Sequence, residues 1–201
     1  MSAERGVRNA EPQESSALRA PRSAFLPTDR WVHLLLAPAL LFIACGIDRN
    51  YQTDLWHHLA RGRIMTEEGR ILDEDRFTYT LPGQPLLDVN WLTQLFFYQL
   101  YRLGGLPLLQ AVNALALAVT LGVLVGLCRR RSGSSLVACG LGLFVFLGMW
   151  QLILIRPQTF SLLFFVLLYA ILEGTERRPG LLVLAPLLMA LWVNVDRKSV
   201  V

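Results

Sequence analysis

Apolar residues in this chain are gathered into runs, several of them close to the roughly 20 residues that cross the hydrocarbon core of a bilayer. Hydrophobic residues make up 54% of the 201 positions and charged residues only 17%. In lipid only helices and closed barrels satisfy every backbone N–H and C=O group. Runs of that length are helical spans, so the expected fold class is all-α: a polytopic transmembrane helical bundle of about five spans. These fall at 31–47, 106–128, 135–155, 158–172 and 180–195. The transmembrane domain is thus 31–195, preceded by a polar tail, 1–30, and followed by an atypical tail, 196–201.

Charge orients the bundle. Five arginines precede Trp31, and further arginines stand at 129–131 and 177–178, between the second and third and the fourth and fifth spans. The positive-inside rule places these segments, and the N-terminus, in the cytoplasm. This accounts for the net charge of +4 without a nucleic-acid partner. The tail 1–30 lacks the short basic region running into an apolar core that marks a cleaved signal peptide, and reads as disordered. Cys45, Cys128 and Cys139 lie in or beside apolar runs with no CxxC spacing, so they carry no disulfide or metal signature.

The interruption between the first two spans, 48–105, holds eight of the fifteen acidic residues and two of the three histidines. On this topology it is an extracytoplasmic, partly helical loop. Thr53 to Gly69 has helical composition, with Gly69 as its end signal. Asp54, His58 and Arg61 share one face of that helix; Leu55, Leu59 and Ile64 mark an apolar side. FTYT at 77–80 is β-like, and Pro82-Gly83 is a turn signal. Asn90 to Leu103 is amphipathic and aromatic, as in an interfacial helix, and Gly104-Gly105 breaks it.

Several residues could carry chemistry. Asp54 stands where a carboxylate could act as general base toward an acceptor hydroxyl or amine, or help hold a divalent cation; it could equally solvate the loop or pair with Arg61. Asp48 is the alternative carboxylate, or an interfacial end marker. Asp73, Glu74 and Asp75 offer a second carboxylate or a metal ligand, or form a solvated turn. His57 and His58 are about 100° apart on a helix and so are poorly set for one ion; His58 suits a hydrogen bond to Asp54 or to an anionic substrate. Arg156 follows VFLGMWQLILI, where Gln151 is the clearly polar member, and its planar fork fits a phosphate; snorkelling to headgroups is the plainer reading. Trp91, with Trp56, Tyr98 and Tyr101, fits an interfacial belt or a sugar-stacking platform. There is no P-loop, no GxSxG and no zinc-protease motif.

Asp54-Leu55-Trp56-His57-His58-Leu59 with Gly62, then Gly69-Arg70-Ile71 to Asp75, Phe77-Thr78-Tyr79-Thr80 and Asn90-Trp91-Leu92, resemble a recurring bacterial pattern of polytopic membrane proteins similar to the GT-C glycosyltransferases. Arg156-Pro157-Gln158 and Leu191-Trp192-Val193-Asn194 resemble its downstream pieces. The resemblance covers about 31–194. It implies a bacterial cytoplasmic-membrane enzyme that takes a sugar from a polyprenyl-phosphate donor to a lipid, glycan or protein acceptor, with membrane lipids around it. It also implies that the first-loop acid, here Asp54, is catalytic. The residues themselves, not the resemblance, make His58, Asp75, Trp91 and Arg156 the expected substrate-binding residues beside it. Two departures stand out. His57 replaces the pattern's second Trp, and Val195-Asp196-Arg197 replaces a Leu-His-Gly-like run. Together with Lys198, the chain's one lysine, the second departure raises the expectation of a truncated N-terminal part. The alternative to an enzyme is a non-catalytic membrane protein, a transporter component or an inactive fragment.

Overall fold

The structure is a computed structural model and describes residues 27–47, 53–77, 83, 85, 88–149 and 153–196. Asp48, Thr78 to Pro82, Gln151, residues 1–26 and residues 197–201 lie outside them, and with them most of the β-like run.

The described residues are all-helical, with no strand. In order they form α1 (Pro27–Ile47), α2 (Thr53–Glu68), α3 (Trp91–Ser132), α4 (Ser135–Met149), α5 (Gln158–Thr175), a short 3-10 helix (Pro179–Val183) and α6 (Leu184–Val195). Two helices, α3 and α5, are long and apolar enough to cross a membrane. Trp31–Ile47, Ser135–Gly148 and Pro179–Val195 are apolar but shorter. Phe144, Leu147, Leu136 and Phe165 stand largely exposed, an apolar surface that water solvates poorly.

α3 is the hub, and α1, α2, α4, α5 and α6 all pack on it. Its course is set by two glycines. Gly104 (φ −152, ψ 17) and Gly105 (φ 64, ψ −158) leave helical geometry, dividing α3 into a first arm, 91–103, and a long arm, 106–132. Gly105 occupies a backbone region open to glycine and strained for any residue with a Cβ. The Gly-Gly break expected from the sequence is therefore the corner of the fold. Pro107 sits in the first turn beyond it, where its missing N–H costs no helical bond.

Between the long arm, α1 and α4 the core is built from small and branched residues: Ala37, Leu41 and Cys45 of α1, Ala114, Leu117, Leu121 and Val125 of α3, and Ala138 of α4. Small side chains let helix backbones approach closely, which is how helices associate where lipid offers no hydrophobic penalty. Gly142 shows the tightness: a Cβ there would stand 2.5 Å from Val125 Cγ2 and 3.3 Å from Ala37 Cβ. A Cβ added at Gly122 would stand 3.6 Å from Pro38 Cγ, inside α1, an ordinary contact distance.

Side-chain bonds fix the two ends of the bundle. At one, Arg131 at the C-terminus of α3 pairs with Glu173 near the C-terminus of α5 at 3.1 Å. At the other, Gln110 Nε2 donates to Cys45 O at 2.6 Å, joining the end of α1 to the start of the long arm. Trp91 Nε1 donates to Asn194 Oδ1 at 3.2 Å, and Thr93 Oγ1 to Val195 O at 2.8 Å, joining the start of α3 to the end of α6. The arginine-rich turns and the polar segment therefore occupy opposite ends. Helix limits differ from the sequence reading by three or four residues at the start of α1 and the ends of α3 and α5, and more substantially in two further places. α4 ends at Met149, short of 155, and the last apolar run is divided by the 3-10 helix.

Candidate functional site

The polar end is organised by α2. Its boundaries follow local chemistry: Asp54 lies in the first turn, where the helix dipole favours negative charge. Gly69 closes the helix at φ +66, its N–H bonding Met65 O at 3.0 Å. Leu55 and Leu59 are buried, as their spacing predicted. Met65 rather than Ile64 continues the buried side. Leu55 and Leu59 meet Phe97 and Leu109 of α3, and Ile155 just before α5. α2 approaches the first arm so closely at Gly62 that a Cβ there would lie 2.2 Å from Gln94 O and 2.7 Å from Tyr98 Cβ.

Asp88 is the centre of this end's electrostatics, and the sequence reading did not single it out. It is buried, at 8% exposure. It accepts from Arg61 at 3.3 Å, from the Gln94 amide at 2.9 Å and from the Asn90 backbone N–H at 3.1 Å. Arg61 is equally enclosed. Its Nε donates to His57 Nε2 at 3.0 Å, and its guanidinium lies 5.6 Å from the Phe77 ring centroid. Arg61 thus belongs to Asp88 and His57, and the ion pair with Asp54 that the shared helical face allowed is not formed. Asp88 stands two residues before Asn90, the N-cap of α3, and accepts its backbone N–H in a local turn. An acid at that spacing ahead of a helix is a recognisable turn signal, and it was the one available clue to Asp88.

Asp54 remains exposed. His58, one turn on, is half-buried, its ring edge-on to Phe97, and its Nδ1 is buried without a hydrogen-bond partner. Burial, and then the neighbouring His57, push the His58 imidazole down to about 4. It is therefore neutral at pH 7. His57 is lowered as well, first by burial and then by Arg61, while Asp88, Asp75 and Asp54 oppose the shift. Asp54 and Asp88 thus share one electrostatic neighbourhood with both histidines, and Asp75 with His57. Because the unfolded chain takes up these protons near pH 6.5 and the folded one only near pH 4 for His58, the stability contributed by its neutral form is complete above about 6.5 and is lost as pH falls toward 4. Thermal melts of the wild type should fall across that window, and His58→Phe should flatten the fall; an unchanged pH slope in that variant contradicts the assignment.

The remaining predicted residues are differently employed. Asp75 Oδ1 accepts from the Phe77 N–H at 2.9 Å and its carbonyl from Gly83 N at 2.9 Å, so it shapes the turn after α2. Asp73 pairs with Arg70 at 2.9 Å on the surface. Glu74 forms a lone bridge to Pro85. Among the described residues no group of three or more His, Cys, Asp or Glu side chains is arranged to hold a metal ion. Trp91 is tied to Asn194. Arg156 is half-buried, its carbonyl accepting from Thr159 N at 3.1 Å as α5 begins.

A second buried carboxylate was also missed. Asp196, fully buried, accepts from Ser161 Oγ at 2.8 Å, and Ser161 accepts in turn from Trp192 Nε1 at 3.0 Å. With its amide turned to satisfy both partners, Asn90 donates to Asp196 at 3.3 Å. Asn90 therefore bridges Asp88 and Asp196, and links the first arm, α5 and α6.

The fold and site together define an all-helical protein with two helices of membrane-crossing length and a polar cap at one end. Comparison with known protein families, with curated proteins and with solved structures finds no match to this chain.

Proposed function

We propose that the chain is a membrane glycosyltransferase of the GT-C kind, moving a sugar from an isoprenoid-phosphate donor to a lipid, glycan or protein acceptor. In this reading all five apolar helices cross the bacterial cytoplasmic membrane, with the arginine-rich end in the cytoplasm and α2 at the outer face. Asp54 takes the proton of the acceptor hydroxyl or amine as that atom bonds to the anomeric carbon. The bond from that carbon to the phosphate oxygen breaks with its electron pair, and the isoprenoid phosphate departs onto Arg156. Neutral His58 offers a hydrogen bond to the sugar or the leaving phosphate.

The observation that carries the reading is the burial of Leu55 and Ile155 in one cluster. They are the chain neighbours of Asp54 and Arg156, so an exposed carboxylate and a guanidinium flank the same packed cluster at the polar end. The motif resemblance around Asp54 supplies the reaction class. The test is Asp54→Asn in the full chain, reconstituted in vesicles with a synthetic polyprenyl-phosphate sugar. Transfer should fall at least about a hundredfold, the loss expected on removing a general base, while donor binding changes little. Unaltered transfer by this variant refutes the role of Asp54. Absence of transfer by correctly inserted wild type favours the non-catalytic reading.

A further inference from the structure

At the end of the bundle away from Asp54, α4 and α5 both pack on the long arm of α3 but make no substantial contact with each other. The cleft between them is a cavity of about 590 Å³, within the ~300–1,000 Å³ usual for small-molecule pockets. Its walls are apolar, with Leu127 from α3, Leu141 from α4, and Phe165 and Val166 from α5. Arg131 and Ser132, the last residues of α3, complete it at the charged end. Leu124 also lines it, seven residues before Arg131 on the same helix, so the cleft runs about 10 Å along α3.

We propose that this cleft seats one acyl chain of an anionic phospholipid, with the lipid phosphate on Arg131. The shape supplies the chain site: a lengthwise apolar trough between helices, too exposed at Leu141 and Phe165 to be left to water. Charge supplies the headgroup site. Five arginines (129–131, 177 and 178) stand at this end against two glutamates, 173 and 176. Among the described residues only Glu173 pairs with Arg131, and it takes the Nε edge at 3.1 Å. The terminal nitrogens of the guanidinium are left for phosphate oxygens, a geometry that arginine serves better than lysine. Basic pockets between membrane helices bind anionic headgroups on the side where such lipids are concentrated. The proposal rests on the chain's residence in a membrane and not on glycosyl transfer, so the Asp54 experiment and this one fail separately.

The test is native mass spectrometry of the full chain, purified in neutral detergent and offered an equimolar mixture of phosphatidylglycerol and phosphatidylcholine. Wild type should retain one phosphatidylglycerol in clear preference. Arg131→Gln should reduce that preference on the order of fivefold, as loss of one headgroup arginine predicts. Leu141→Trp, filling the trough from a half-exposed position, should reduce retention of both lipids. Arg130→Gln removes the same charge outside the cleft and should leave the preference intact. Equal loss in the Arg130 and Arg131 variants overturns the proposal, because it makes the effect one of general surface charge. Retention that survives Leu141→Trp, displacement of lipid by inorganic phosphate alone, or a lipid-free dimer closed over the cleft overturns it as well.

Discussion

Replacing Asp88 with alanine should cost the protein about 3–5 kcal/mol of stability, the range for removing one partner of a buried ion pair. The expectation follows from what would be stranded. Arg61 would keep its charge at a site where its side chain is only 10% exposed, facing His57 and Phe77. The Gln94 amide and the Asn90 N–H would lose their acceptor together. Asp88→Asn should be nearly as harmful, since it retains shape but removes the charge that balances Arg61. A double-mutant cycle with Arg61→Ala, followed by thermal unfolding in detergent, measures the coupling. The double variant should be more stable than the sum of the single losses predicts, by about 1–3 kcal/mol. Simple additivity contradicts the pairing.

The second large effect is expected at Gly62. Any side chain there meets the backbone carbonyl of Gln94 at 2.2 Å and the root of Tyr98 at 2.7 Å, and neither can rotate away. Gly62→Val should push α2 off the first arm and cost at least the ~3 kcal/mol at the upper end of overpacking losses. Gly126, where a Cβ meets nothing within 4 Å, is the control; Gly126→Ala should be tolerated. Protease accessibility of 53–77 reports the displacement directly. A Gly62→Val protein with wild-type protection and melting temperature rules out the close approach.

Gly62 also shows what a sequence can and cannot disclose. It was visible as part of a motif, yet no pattern in one chain says which backbone lies opposite. Local signals were readable: the end of α2 at Gly69, the Gly104–Gly105 break, and the burial of Leu55 and Leu59 all follow from backbone preference or helical period. Long-range pairing was not. Arg61 shares a helical face with Asp54, but its partner is Asp88, 27 residues on. Asp196 headed a tail that looked foreign to the apolar runs, and it proves fully buried with Ser161 and Asn90 around it. A lone acid outside a periodic segment carries no sign of the cavity that tertiary packing will build around it. The end of α4 was misjudged for the opposite reason, since Ile153 and Ile155 are apolar enough to extend a helix but are instead core residues beyond its end.

The bonds from Trp91 to Asn194 and from Thr93 to Val195 join positions 103 and 102 residues apart. Pairings of such separation form late, because the closure entropy must be met before they stabilise anything. During synthesis the first arm of α3 therefore waits, its indole and hydroxyl unsealed, until nearly every following helix has left the ribosome. The seam between the first arm and α6 is among the last parts of the molecule to set, although Trp91 and Thr93 are translated in the first half of the chain.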